Sequence, residues 1–457
     1  MILSAQTAAQ FALGRLVGVE DAVITSITTD TREIKEGSLF VALKGEKFDG
    51  HDFAVEAVKK GAVAVVSEKD ESYFSEPIPL IVVDDGYKAL LSLAAGYRRT
   101  LELSVVGVTG SVGKTTTKDM IAAVLSAAVK TAKTQGNFNN HIGVPKTIFS
   151  IDQSDKAAVI EMGMNHAGEI SALTAAVRPD IAAITCIGVS HIENLKTRHN
   201  ILNAKLEIIE GMRPDAPIII NADNDILGGI YECANHRVIR CSAEGNDAFV
   251  TATDICESTN GSSFKINAGG EFLTEVFLPS VGIHNIQNAL IAAAVAIVMG
   301  LSGEQIKKGL SLYVPSGMRQ KISEVNGITF IEDCYNASPT SMVASLEVLN
   351  KIKTKRAIAV LGDMLELGEI SDSAHKEVGE FAAEKCDLVV CSGEKSKLTS
   401  KASSERGCQS KWFETLKETE DFLFSELKEG DCVLFKASHS MQFEKIIKDL
   451  YQKMGKE

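Results

Sequence analysis

The stretch LSVVGVTGSVGKTTT, residues 103–117, decides the fold of the central part of this chain. Its apolar, β-branched start at residues 103–108 predicts a buried strand, which runs directly into a glycine turn and a helical pattern. Glycines at such a turn let backbone N–H groups point inward around phosphate oxygens, at the positive end of the next helix. The order of strand, glycine loop and helix therefore predicts a phosphate-binding loop.

The loop residues predict its contacts with a nucleotide. Lys114 supplies a mobile cation for the terminal phosphates, and Thr115 offers a hydroxyl to magnesium. The pattern G-x-x-x-x-G-K-[ST] is missed at one place, because Val108 stands where its first glycine belongs. The alternative is a glycine-rich turn with an exposed lysine. The predicted ATP-binding residues of the loop are Thr109, Gly110, Ser111, Val112, Gly113, Lys114, Thr115 and Thr116.

Strand and helix patterns extend in both directions from this loop. Further strands are predicted at residues 157–160, 181–187 and 217–221, and later at 328–331, 357–361, 388–392 and 432–435, with helices between them. Such alternation predicts α/β domains with mostly parallel sheets. We expect three domains: a small N-terminal α/β domain at residues 1–100, a central P-loop domain with a parallel sheet at 101–314, and a Rossmann-like domain at 315–457.

Composition limits the class of protein. The chain has 457 residues, 45% hydrophobic and 23% charged, as expected for a globular enzyme of two to four domains. Its net charge of -13 argues against a nucleic-acid or anionic-membrane binder, and leaves room for a local basic patch that binds phosphates. Nine cysteines without a C-x-x-C pair predict reduced thiols. Residues 1–14 carry no signal peptide pattern, and the longest apolar stretch, 289–301, is too short to span a bilayer. A cytoplasmic protein is predicted.

Two side chains are expected near the phosphate loop because they follow neighbouring strands. Glu161 ends the strand at residues 157–160, and His191 follows the strand at 181–187. In a parallel sheet both lie at the carboxyl edge, beside the loop. A carboxylate suits magnesium, whereas an imidazole is a less usual ligand for so hard a cation. For His191 alone, a capping or core histidine is the alternative.

Lys205 lies in the middle of an apolar helix face. When residues 200–212 are wound as a helix, Lys205 falls at the centre of the stripe formed by residues 201, 202, 208, 209 and 212. A lysine facing the core is unfavourable unless it is paired, neutralised or extended to solvent. Extension to solvent is one interpretation. The other is that a neutral lysine reacts with carbon dioxide to give a carbamate, which is a carboxylate-like metal ligand.

Together these residues resemble the Mur ligase family of cell-wall amide synthetases, over nearly the whole chain. The resemblance includes T-G-x-x-G-K-T, Glu161, His191 and Lys205, at the position where the family carries a carbamylated lysine. It continues through GIHNIQNA (282–289), GMR (317–319), DCYNASP (333–339) and LGDMLELG (361–368). The chain departs from the family pattern at Lys196, His199, Ala437 and His439.

The resemblance implies further roles. Catalysis is expected from Lys114, Lys205 and His191, with one magnesium between Thr115, Glu161 and the phosphates and a second beside His191 and carbamylated Lys205. Asn285 as a helix cap, and Asn336 with Pro339 as a simple turn, are the alternatives. The implied contacts are Asn285, Asn288, Arg319 and Asp333 with ATP, Thr29, Asp30, Thr31 and Arg32 with a UDP-sugar, and Asn139, Asn140, Tyr335, Asn336 and Ser338 with the peptide substrates.

Within the family, three stretches resemble the member that adds D-alanyl-D-alanine to UDP-N-acetylmuramoyl-tripeptide: ALKGEKFDGHDF (42–53), GNFNNHIGVP (136–145) and residues 333–342. The expected enzyme is a monomeric ATP-dependent ligase of peptidoglycan synthesis that works through an acyl phosphate on small-molecule substrates. An earlier Mur ligase or a folate polyglutamate ligase is the nearest alternative. A transport or regulatory ATPase is a more distant one, because LSGEQ at residues 301–305 is similar to a transporter-ATPase signature.

Overall fold

The computed structural model describes residues 1–18 and 21–455. The chain forms a mixed α/β structure built on three large sheets and one two-stranded sheet. The fold class predicted from the sequence, α/β with parallel sheets, is confirmed. No helix in the described part of the chain is long and apolar enough to cross a membrane.

The first sheet is formed by residues before 83. Four of its strands are parallel, and β2 pairs antiparallel with β7 at one edge. The elements are β1 (Leu3–Ser4), α1 (Ala5–Ala12), β2 (Arg15–Val17), β3 (Val23–Ile24), β4 (Ser26–Thr28), β5 (Ser38–Val41), α2 (Ala54–Lys59), β6 (Ala62–Ser67), β7 (Leu80–Val82) and α3 (Gly86–Arg98). Helix α3 packs against α1 and, farther along the chain, against the central unit, so the two share a continuous apolar core.

The central sheet has nine strands, in the order β16-β15-β14-β13-β12-β11-β8-β10-β9. Its strands and helices are β8 (Ser104–Thr109), α4 (Lys114–Ser126), β9 (Thr131–Lys133), α5 (Gly143–Ser150), β10 (Ala157–Glu161), α6 (Glu169–Val177), β11 (Ile181–Ile184), α7 (Ile192–Leu195), α8 (Arg198–Leu206), β12 (Ile218–Asn221), β13 (Val238–Ser242), β14 (Val250–Ser258), β15 (Gly261–Ala268), β16 (Glu271–Leu278), α9 (Ile283–Val298) and α10 (Gly303–Ser311). Strands β8 to β13 are parallel to their neighbours, and β15 is antiparallel to β14 and β16.

The last sheet has six strands, in the order β17-β18-β22-β19-β20-β21, parallel except at β17. Helices lie between its strands, as predicted for a doubly wound domain. Its elements are β17 (Lys321–Val325), β18 (Ile328–Glu332), α11 (Pro339–Ile352), β19 (Arg356–Gly362), α12 (Ser371–Lys385), β20 (Leu388–Ser392), α13 (Ser396–Glu405), β21 (Gln409–Phe413), α14 (Leu416–Glu426), β22 (Asp431–Lys436) and α15 (Phe443–Lys453).

Two predicted elements are shorter in the structure. The strand predicted at residues 181–187 ends at Ile184, and the side chains of Thr185 and Cys186 then bond Val112 of the phosphate loop. The helix predicted at 200–212 ends at Leu206 and continues as a 3-10 turn, Glu207–Gly211. The transporter-like string at 301–305 has a local explanation, because Ser302 and Gln305 form a capping box at the start of α10.

Candidate functional site

The phosphate loop lies between β8 and α4, at the carboxyl edge of the central sheet. Gly110 and Gly113 adopt φ values of +149° and +86°, which favour glycine. A Cβ at Gly110 would lie 1.9 Å from Thr185 Oγ1. The glycines are therefore required both by backbone conformation and by the closeness of the next loop.

The segment that follows β11 holds this loop in place. The Ser111 backbone N–H donates to the Cys186 carbonyl (2.9 Å), and the Thr185 N–H donates to the Thr109 carbonyl (3.0 Å). The Gly188 N–H donates to Ser111 Oγ at 2.9 Å. The sequence analysis missed these contacts, which join segments about 75 residues apart and leave no periodic signal. These contacts fix the shape of the loop.

Polar groups of the loop are available to an anion. Lys114 Nζ donates only to loop carbonyls, at 2.8 Å to Gly110 and 3.5 Å to Ser111. Burial lowers the pKa of Lys114, and the Glu161 carboxylate partly opposes that effect. The buried Thr109 hydroxyl has no hydrogen-bond partner among the described residues. These features, with the unpaired amides at the start of α4, fit a phosphate group.

Thr115 and Glu161 meet as the strand order predicts. The Thr115 hydroxyl donates to Glu161 Oε2 at 2.8 Å, and Asn139 Nδ2 donates to Glu161 Oε1 at 2.8 Å. Glu161 is buried at the end of β10, beside β8. A carboxylate and a hydroxyl in contact beside a phosphate loop are oxygen ligands of the kind that magnesium prefers.

Lys205 is buried and unpaired. Its side chain is 1% exposed, and it makes no hydrogen bond or ion pair with any described residue. Burial lowers the pKa of Lys205 well below its usual value, and the charge of Lys114 lowers it further. The interpretation that this lysine extends to solvent is wrong, because the side chain ends inside the fold. Burial therefore favours the neutral form of this amine over its charged form.

His191 faces the C-terminal domain. It precedes α7 with φ +63°, and its Nδ1 lies 2.9 Å from Glu366 Oε2. The neighbouring imidazole lowers the pKa of Glu366. His191 makes no side-chain cap to α7, so the capping alternative is not supported. Both side chains line a cleft of about 270 Å³ between the central and C-terminal domains, together with Ser190, Asn336, Ala337, Ser338, Leu365, Leu367, Ser438, His439 and Ser440.

Of the four residues expected to contact ATP outside the loop, two lie in α9 of the central unit and two lie beside strands β17 and β18 of the last sheet. Asn288 accepts a hydrogen bond from the Thr117 hydroxyl (3.0 Å), so it lies beside the start of α4. Asn285 does not cap α9 by its side-chain oxygen; its amide donates to the Val281 carbonyl and to Gln320.

Arg319 and Asp333 both make contacts within the C-terminal domain. The Arg319 guanidinium lies 3.7 Å from the centre of the Tyr335 ring. Asp333 Oδ2 lies 2.7 Å from Lys436 Nζ and 2.5 Å from Ser345 Oγ. Lys436 was not predicted as a site residue, although it precedes the departures at Ala437 and His439.

The residues expected to hold peptide substrates also serve local structure. Asn140 Oδ1 accepts from the Ile142 and Gly143 N–H groups, at the start of α5. Ser338 caps α11, whose first residue is Pro339, and Asn336 Oδ1 accepts from the next N–H. Asn336 and Ser338 nevertheless line the cleft beside His191, so the turn and the site coincide.

The four residues expected to hold the UDP-sugar follow β4. The segment consists of Thr29, Asp30, Thr31 and Arg32. The Arg32 guanidinium pairs with the Asp30 carboxylate at 2.6 Å and lowers the pKa of Asp30 to about 2. Glu33 pairs with Lys146 of α5 at 3.1 Å. That contact places the segment next to the central domain, near the asparagines of residues 139–140.

Comparisons with known proteins identify the relatives of this chain. Three family models match successive parts of the chain: the Mur ligase family, catalytic domain (residues 23–98), the Mur ligase middle domain (108–296) and the Mur ligase, glutamate ligase domain (319–439). UDP-N-acetylmuramoyl-tripeptide–D-alanyl-D-alanine ligase of Bacillus subtilis (strain 168) is 38% identical over 439 residues, which cover 95% of this chain and 94% of the relative.

Solved structures show the same similarity. MurF from Acinetobacter baumannii superimposes with a TM-score of 0.91 at 33% identity, and the match covers 99% of both chains. MurF ligase from Thermotoga maritima in complex with ADP superimposes with a TM-score of 0.82 at 28% identity, covering 94% of this chain and 97% of that one.

Proposed function

This chain belongs to the Mur ligase family, and we propose that it joins D-alanyl-D-alanine to UDP-N-acetylmuramoyl-tripeptide with ATP. The products are the UDP-N-acetylmuramoyl-pentapeptide, ADP and phosphate, so the reaction serves peptidoglycan synthesis. The observations that carry the proposal are the contact of Thr115 with Glu161 beside the phosphate loop, and a buried Lys205 close enough to Lys114 for that charge to lower its pKa. Both occur in a chain 38% identical to such a ligase.

The chemistry follows from the weakness of a carboxylate as an acyl donor. An oxygen of the tripeptide carboxylate takes the γ-phosphoryl group of ATP, and ADP departs. The dipeptide amine then attacks the carbonyl carbon, loses a proton, and phosphate leaves. The protein contributes mainly by positioning the reactants and stabilising spread negative charge. Lys114, which bonds only loop carbonyls, is placed to turn toward the phosphates.

We propose two magnesium positions. Thr115 and Glu161 would hold one ion beside the phosphates, supported by their 2.8 Å contact. His191 and modified Lys205 would hold the other. When bound, magnesium supplies positive charge that offsets the negative charge developing on the transferred group. The Glu366 carboxylate lies 2.9 Å from His191 Nδ1 and would attract the ring electrostatically.

Lys205 is proposed to be carbamylated. Its neutral amine attacks the carbon of CO₂, a N–C bond forms, and one proton is released to water, which leaves a carboxylate-like group. The support is chemical: the amine is buried, unpaired and of lowered pKa. The modification turns an unfavourably buried amine into an anionic oxygen ligand for magnesium.

The remaining assignments are part of the same proposal. Residues 1–100 would hold the UDP-sugar through Thr29 to Arg32, 101–314 would hold ATP, and 315–457 would contribute Arg319 and Asp333 to ATP and the residues around Tyr335 to the peptide substrates. All these groups come from one chain, so we propose a monomer. ATP use and nine free cysteines support a cytoplasmic location.

A matrix of substrates tests the function. Release of ADP and phosphate would be measured with UDP-N-acetylmuramoyl-tripeptides carrying lysine or diaminopimelate, combined with D-alanyl-D-alanine, a D-alanyl-depsipeptide or single amino acids. We expect sustained release only when a tripeptide and the dipeptide are both present. With the tripeptide alone, hydroxylamine should trap the acyl phosphate as a hydroxamate.

A pair of variants separates the site from general damage. Lys114→Met should abolish ADP release, whereas Lys156→Met, an exposed lysine outside the loop, should leave it unchanged. Equal release with a single amino acid in place of the dipeptide would indicate an earlier ligase of the family. No ADP release with any pair would end the proposal.

A further inference from the structure

We propose that a second anion site, formed by four arginines at the opposite end of the central sheet, binds a phosphate-bearing ligand. Arg98, Arg99, Arg178 and Arg213 line a cleft of about 250 Å³ together with one acidic residue, Asp180. Four arginines against one aspartate give the cleft a formal charge of +3, in a chain whose net charge is -13. This inference does not depend on the proposed function.

The cleft is formed by three separate segments of the chain. Arg98 and Arg99 end α3, Arg178 follows α6, and Arg213 follows the 3-10 turn Glu207–Gly211. Arg178 has φ +47°, an unfavourable conformation for a residue other than glycine, asparagine or aspartate. The guanidinium groups come together only because tertiary structure brings these three segments into contact.

One of the four arginines has protein partners. Arg98 is buried, and it donates to the carbonyls of Val177 (3.1 Å) and Leu101 (3.2 Å) and lies 3.6 Å from Asp180. Burial lowers its pKa, and Asp180 partly opposes that effect. Arg98 therefore builds the floor of the cleft.

The other three guanidinium groups lack protein partners. Arg99, Arg178 and Arg213 are exposed, and their side chains form no hydrogen bond or ion pair within the described residues. Three of the four exposed arginines elsewhere in the described residues do pair, as Arg406 does with Glu380 at 2.6 Å. Three unpaired cations around one concavity repel one another, and an anion between them removes that repulsion.

The side chains favour a phosphate group over other anions. A planar guanidinium binds two phosphate oxygens at once, and three such groups suit a ligand with two or more charges. The lining contains no aromatic residue, so it offers no surface for stacking a nucleobase. The cleft is large enough for a diphosphate group.

This site is separate from the phosphate loop. Asp180 joins the cleft to the first part of β8, since its carboxylate accepts from the Val105 N–H at 2.9 Å. From there β8 runs to Thr109, where the phosphate loop begins. Six strand residues span about 20 Å. A ligand in the arginine cleft therefore does not compete with ATP.

Binding of inorganic pyrophosphate tests the proposal. Isothermal titration calorimetry would use the full chain in magnesium-free buffer at low salt, with the phosphate loop weakened by Lys114→Met in every sample, because saturating ADP would bring its own diphosphate group to the arginine cleft. We expect one pyrophosphate site per chain, weakened about 10-fold or more in Arg178→Asn/Arg213→Gln, because two charge-assisted contacts are lost. Asparagine tolerates the left-handed backbone at 178, so this variant should fold. Arg237→Gln, an exposed arginine outside the cleft, should bind as the wild type does.

A second arm distinguishes the source of the phosphate. Flotation with phosphatidylglycerol vesicles, compared with phosphatidylcholine vesicles, would show whether a lipid headgroup is bound through the same arginines. Arginine-dependent binding of either probe supports the site, and the probe that binds identifies the source. Absence of both, or pyrophosphate binding unchanged in the double variant with its fold retained, would overturn the proposal.

Discussion

Replacing Lys205 should make the unliganded protein more stable and the enzyme inactive. The side chain is buried, has no partner among the described residues, and has a pKa well below its ordinary value of 10.5. Burying an unpaired amine is unfavourable, so Lys205→Met, which keeps most of the volume, removes a destabilising group. Loss of one electrostatic partner of the transferred phosphoryl group should lower turnover by about 10²–10³.

The size of the Lys205 effect on stability can be obtained from its pH dependence. Between the lowered pKa of the folded state and 10.5, the unfolded chain carries a proton on Lys205 that the folded chain lacks. The free energy of unfolding therefore rises with pH in this window, by about 1.4 kcal/mol per pH unit, and this part of the stability falls as the pH is lowered. For a cooperative unit of about 200 residues, this corresponds to about 3 °C per pH unit.

Thermal unfolding in CO₂-depleted buffers at successive pH values below 10.5 measures this slope and shows the pH at which it begins. Lys205→Met should unfold at a higher temperature than the wild type at pH 7. The slope of its unfolding temperature against pH should be smaller than that of the wild type by about 3 °C per pH unit. Lys436→Met is the matched control and should lower the unfolding temperature. Buried Lys436 pairs with Asp333, so its loss leaves the Asp333 carboxylate uncompensated. Lys205→Ala, which leaves a cavity, should regain part of its activity with formate. Full activity of either Lys205 variant, or an unchanged pH slope in Lys205→Met, would refute the reasoning.

Three further outcomes are expected. Glu161→Gln should raise the magnesium concentration for half-maximal ADP release by about 10-fold or more, since a carboxylate ligand becomes a neutral amide; an unchanged magnesium titration would exclude this ligand. Gly110→Ala should abolish nucleotide binding in a fluorescence titration, and adding Thr185→Ala should restore only part of it, because the clash is relieved but φ +149° remains. Asp119 is buried, which raises its pKa, but Lys118, Lys133 and the Ser316 hydroxyl together outweigh burial and hold the pKa below 3.8. The stability that Asp119 contributes is therefore present above about pH 4 and is lost as the pH falls through the folded pKa. Asp119→Asn should lose about 3 kcal/mol at pH 7 and flatten the acid limb of the stability profile, measured by denaturant unfolding from pH 2.5 to 7.

Local patterns in the sequence were sufficient for several features of the site. The phosphate loop needs only a strand, two glycines and a helix start in order, and all of these lie within residues 103–117. Glu161 was placed beside Thr115 because the carboxyl ends of parallel strands meet at one edge of a sheet, and their 2.8 Å contact has that origin. Helical periodicity placed Lys205 on the buried face.

Other features arise only from tertiary structure. Periodicity could not decide whether Lys205 reaches solvent, because that depends on what packs above it. The strand predicted to residue 187 ends early and Thr185 then bonds the phosphate loop, and Glu366 meets His191 only when two domains approach. The arginine cleft joins residues separated by up to 115 positions.

The physical reason is the range of the interactions. Strand and helix patterns, turns and caps depend on neighbours within a few residues, so the order of β8, the phosphate loop and α4 was determined by the sequence alone. The partners of a side chain across a sheet edge or a domain boundary depend on register and packing of the whole chain. The tertiary structure alone therefore decided that Lys205 is unpaired, that His191 faces Glu366, and that distant arginines converge.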